Sequence, residues 1–80
     1  MNKDLAKHIA RVAFEASAEL GNLVPLINGH CSQEEYQKLG WAIASASAAI
    51  STNILEQIFR DHPELRQHFD DDIKTYGRII

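Results

Sequence analysis

The sequence has one cysteine, two prolines, four glycines and one tryptophan in eighty residues. A lone cysteine excludes an internal disulfide framework. So few prolines and glycines, beside a 45% apolar and 24% charged content, exclude a low-complexity or disordered chain. Excess positive charge is missing too. Eight Lys and Arg against eleven Asp and Glu leave a formal charge of −3. That is too little to displace counterions from a phosphate backbone, so no nucleic-acid partner is expected. No basic-then-apolar stretch opens the chain, and no signal peptide is expected. There is no glycine-rich phosphate loop and no His-Glu-x-x-His. The longest uncharged run, Leu39 to Leu55, carries Ser45, Ser47, Ser51, Thr52 and Asn53. It falls short of the about 20 predominantly apolar residues of a membrane span, so no membrane is expected either.

What is present is helical periodicity. Leu5, Ile9, Val12, Ala13, Ala16 and Leu20 recur at steps of three and four, which predicts a first helix over about 3–20. Asn2 is its cap and Gly21 its left-handed stop. Glu15 and Glu19 sit at its C-terminal end, against the helix dipole, so this helix relies on packing. Pro25 limits the next segment to a short turn over about 23–28; the alternative is one kinked helix over 3–28. Ser32-Gln33-Glu34-Glu35 is a capping box. It opens the longest element, about 33–61, with Gly40 as its only glycine. Asp61-His62-Pro63 ends that helix and starts a third, about 63–77, where Leu65, Phe69, Ile73 and Tyr76 step by four, four and three. No alternating β-branched run occurs. The expectation is a single all-α domain over 1–80, a small bundle of three main helices and a short connecting turn.

A domain below about 70–80 residues draws only about 3–5 kcal/mol from one core and needs a staple. With disulfides excluded, that leaves a metal or a partner chain. A helix over 33–61 would span about 43 Å, longer than the about 30 Å of a compact chain this size. Either it breaks near Ser51-Thr52-Asn53 or another chain covers the excess. Small side chains at Gly40, Ala44, Ser47, Ala48 and Ser51 favour close approach of a second helix. With Tyr36, Ile43, Ile50 and Ile54 they form the candidate dimer interface. Packing against the Ala-rich first helix of the same chain is the competing reading. Trp41, Ala48, Leu55 and Phe59 mark a second apolar stripe.

Two constellations could carry chemistry. Glu64, His68 and Asp72 share one edge of a helix and offer partial ligation for a divalent metal. Solvated ion pairing is the plainer reading of the same spacing. Cys31, just before a helix N-terminus, is a candidate reactive thiol, beside His30 in sequence. No oxyanion hole or orienting third group can be assigned to it. The stretch Phe59 to Phe69, with His62-Pro63-Glu64-Leu65, resembles a turn-and-helix fragment of globins; the chain is too short for that fold, so it is read as shared capping chemistry.

The expected function is a non-catalytic interaction or regulatory module, acting as a homodimer in a reducing cytoplasm, with another protein as an alternative partner. No cofactor is expected. A metal- or small-molecule-binding protein ranks second and a cysteine-dependent enzyme third.

Overall fold

The computed structural model describes residues 1–79. Among them the chain is all-α, with α1 (Lys3–Ile27), α2 (Gln33–Ile50), α3 (Glu56–Asp61) and α4 (Pro63–Tyr76). A π-helical turn, Ser51–Leu55, joins α2 to α3. Backbone angles stay helical through Ile50, Ser51, Leu55 and Glu56, so α2, the π turn and α3 are one rod. Three main helices result.

The ends of the helices follow the capping chemistry. The Asn2 side-chain oxygen accepts from the Leu5 N–H at 2.8 Å. Ser32 Oγ accepts from the Glu35 N–H at 3.1 Å, and Glu35 Oε1 accepts from the Ser32 N–H at 2.9 Å. These bonds hold the exposed Glu35 carboxyl below its ordinary range, the Ser32 backbone bond first and its side-chain bond second. The cap therefore contributes fully above the ordinary carboxylate range and is lost as pH falls through the lowered value. Pro63 takes the first position of α4, and Gly77 ends it at φ 73°.

The first helix differs from expectation. It runs on through Gly21 and Pro25 to Ile27, in line with the kinked-helix alternative, and the separate turn over 23–28 is absent. Gly21 adopts no positive φ; the left-handed residue is Gly29, at φ 90°. Pro25 is tolerated because it falls in the last turn. It leaves only the Gly21 carbonyl without its intrahelical donor, at an exposed position.

Ala6, Ala10 and Ala13 form the buried face of α1. Their small size lets the rod approach closely. A reciprocal pair of hydroxyls fixes the register: Ser17 Oγ and Ser47 Oγ lie 2.7 Å apart, and Ser47 Oγ donates to the Ser17 carbonyl at 3.1 Å. At the other end Leu55, Ile58, Leu65, Phe69 and Ile79 close a core against those alanines. Phe59 and Phe69 meet edge to face at 5.5 Å, and Arg66 lies over Phe59 while bonding Glu56 at 2.8 Å. Ile79 is buried against this core, and Ile80 lies outside the described residues.

The rod over about 33–61 does not break near Ser51–Asn53, the alternative the sequence offered, but changes pitch there. In an α-helix Ile54 would share the face of Ile50. The π turn, with the Glu56 N–H bonded to the Ser51 carbonyl, adds one residue to the turn. Leu55 takes the inward place at 7% exposure and Ile54 is displaced outward at 39%. Deleting the exposed Asn53 should restore an α-helical turn while keeping Leu55 and Ile58 in phase with the core. The variant is expected to fold with full helicity by circular dichroism and a thermal midpoint within about 5 °C of the parent, roughly 1 kcal/mol for a domain this size. Loss of cooperative melting would contradict this reading of the turn.

Candidate interaction surface

α1 carries apolar residues around too wide an arc for its own chain to cover. At 100° per residue, Phe14, Ala10, Ala13, Ile9, Ala16, Leu5, Leu23 and Val12 span roughly 200° of the helix. α2 packs on the middle of that arc. Phe14, at one edge, lines a depression shared with Phe59, Phe69 and Ile73, so α4 lies on that side. Among the described residues nothing packs on the opposite edge, where Leu5 is 47% and Val12 51% exposed.

Between this bare edge and the rod lies an open apolar groove of about 380 Å³. Ile9, Val12, Ala13 and Ala16 form one wall, and Ile50 and Ile54 the other, with His8 at the rim. The π turn builds this wall, because it turns Ile54 out of the core. Further along the same side of α2, Ala46 lies one turn from Ile50, and Ala42 and Leu39 come next at helical spacing. All three are exposed, as are Leu23 and Leu26 at the matching end of α1.

The sequence-derived interface residues divide into three groups. Ile43 is buried, Ser47 is bonded to Ser17, and Tyr36, Gly40 and Ile50 are half-buried. Ser47 belongs to the α1 contact of the same chain, whereas a Cβ at Gly40 would meet nothing within 4 Å. Ile50 and Ile54 reach the groove. Ala44, Ala48 and Ser51 are exposed on the far flank of α2, at helical spacing with Trp41, which is 74% exposed. Leu5, Val12, Leu23 and Leu39 do not stand out as surface in the sequence. The available signal is the width of the apolar arc on α1, which no single neighbouring helix can bury.

The Glu64–His68–Asp72 edge stays on α4, where His68 pairs with Asp72 and Glu64 turns to His62. Glu64 lies 3.7 Å from His62 Nδ1, and His68 Nε2 lies 3.5 Å from Asp72. Lys3 and Lys7 share the hollow beside Glu64 and His68, and two ammonium groups oppose a cation there. Among the described residues no three His, Cys, Asp or Glu side chains gather as a metal site. Cys31 is half-buried and its Sγ–H donates to the Ile27 carbonyl at 3.2 Å. The thiol thus closes the last turn of α1. Among the described residues no helix is long and apolar enough to cross a membrane.

Removing metal should matter little. Dialysis against EDTA is expected to leave the thermal midpoint within about 1 °C, and His68→Ala to change stability by no more than about 0.5 kcal/mol. A drop of several degrees in chelator would put a metal on the α4 edge.

No protein-family model matches the chain, and neither does any curated protein or solved structure.

Proposed function

We propose that this chain is a non-catalytic helical interaction module that works as a homo-oligomer, a dimer first of all. The observation that carries this reading is an excess of surface. The chain exposes 5659 Å². A folded monomer of 9.0 kDa is expected to expose about 4,900 Å². The excess, roughly 800 Å², equals one partner's share of a stable protein–protein interface. The radius of gyration agrees: 14.7 Å, against about 12 Å for a compact chain this long. α1 and the rod form one layer, which α4 and Ile79 cover on one side only. An unpaired cysteine suits a reducing compartment such as the cytoplasm.

The groove supports a second reading, a binder of small apolar molecules. Its about 380 Å³ falls within the usual range for ligand pockets. Such pockets carry several placed polar groups to orient a ligand, whereas this one has His8 alone among its lining residues. A second protein surface needs no such groups, which favours the first reading.

Native mass spectrometry on untagged protein, prepared without chelator, tests both. The expected species is twice 9.0 kDa with no added mass. A bare monomer at micromolar concentration would overturn the dimer reading. A monomer carrying added small-molecule mass would replace it with the second.

A further inference from the structure

We propose that the occupant of the groove is a second copy of this chain, docked face to face and end over end. This deepens the dimer reading above and rests on it. The bare flank differs along its length. At the end where α1 begins it opens into the groove between Ile9, Val12, Ile50 and Ile54. Towards the α1–α2 connection it carries projecting leucines, Leu23 at 39% and Leu39 at 49% exposure. The Ser17–Ser47 clasp sets these two at nearly one level. Leu23 lies about 9 Å past Ser17, and Leu39 about 12 Å past Ser47 in the same direction. Where the groove gives way to the leucines the flank is a waist of small side chains, Ala16 at the groove's end and Ala46 beside it.

A two-fold axis through that waist, perpendicular to the helices, exchanges the two ends. The leucines of one copy then fall on the groove of the other, and the reverse. That is the self-complementarity an isologous interface requires. A two-fold parallel to the helices would instead lay groove against groove. Both would stay unfilled, and their linings would lose the contacts that close packing supplies. The end-over-end arrangement stacks the two α1–rod hairpins into a four-helix core, with the α4 of each copy on the outside. The area fits as well, since the surface excess matches what each partner of a stable dimer buries.

The test uses the full chain in a Cys31→Ser background. Val12→Cys and Leu23→Cys variants are mixed in equal amounts and treated with a short bismaleimide. The expected product is the mixed 12-to-23 adduct, several-fold over either like-with-like adduct. In parallel, Val12→Glu is expected to weaken the dimer at least about 30-fold, the size of an interface hot spot. Trp41→Glu, on the other flank, should change it less than about 3-fold, and helicity should stay unchanged in both. A protein that remains dimeric but yields mainly like-with-like adducts, or none, overturns this docking and leaves the dimer reading standing. So does a dimer that survives Val12→Glu and is lost in Trp41→Glu. A parent chain that is monomeric throughout removes the dimer reading itself.

Discussion

The structure depends on one constraint: α1 is apolar around more than half its circumference, and the rest of the chain can reach only part of it. Ala6, Ala10 and Ala13 bring the rod into close contact, and the Ser17–Ser47 clasp locks the register. α4 and the tail at Ile79 cover one side near the start of α1. Among the described residues nothing covers the other. Nine hydrophobic residues are buried among those described, and Leu65 is the only large one below 2% exposure. A core this small leaves a domain of 80 residues near the low end of stability, where covering a bare flank has the largest effect.

The π turn links packing to surface. One extra residue between Ile50 and Leu55 lets two stretches of the same rod present different faces. Before the turn, Ile43 and Ser47 meet α1; after it, Leu55 and Ile58 enter the core with Leu65 and Phe69. Ile54 is the residue left over, and it becomes a wall of the groove. The groove is thus a consequence of satisfying two cores with one helix.

Much of the fold is legible in the residues. Asn2, the Ser32–Glu35 box, Pro63 and Gly77 mark four helix ends because each meets a local hydrogen-bond or φ requirement that distant packing does not alter. Gly21 and Pro25 mislead for a related reason. Gly21 costs only about 1 kcal/mol inside a helix, and Pro25, costly in an interior, falls in the last turn, where Val24 and Ile27 are half-buried. The π turn is hidden because it depends on matching two distant faces. The surface is the least legible part. Leu5, Ile9 and Val12 read as core by period, and period does not say how much of an apolar arc a neighbour will reach. The small-residue stripe on α2 points by composition towards a second chain; of its members Ser47 bonds Ser17 of α1, while Ala44, Ala48 and Ser51 stay exposed. The Glu64–His68–Asp72 spacing is real on α4, but Lys3 and Lys7 of α1 share its hollow, a neighbour relation that the sequence does not show.

That the bare side of α1 is completed by a second copy of the chain is tested most directly by the concentration dependence of the thermal midpoint. Folding coupled to dimerisation makes stability inseparable from protomer concentration. Across a hundredfold range of concentration the midpoint is predicted to rise by on the order of 10 °C, with one cooperative transition throughout. A midpoint that does not move with concentration would contradict the claim and leave α1 stably bare.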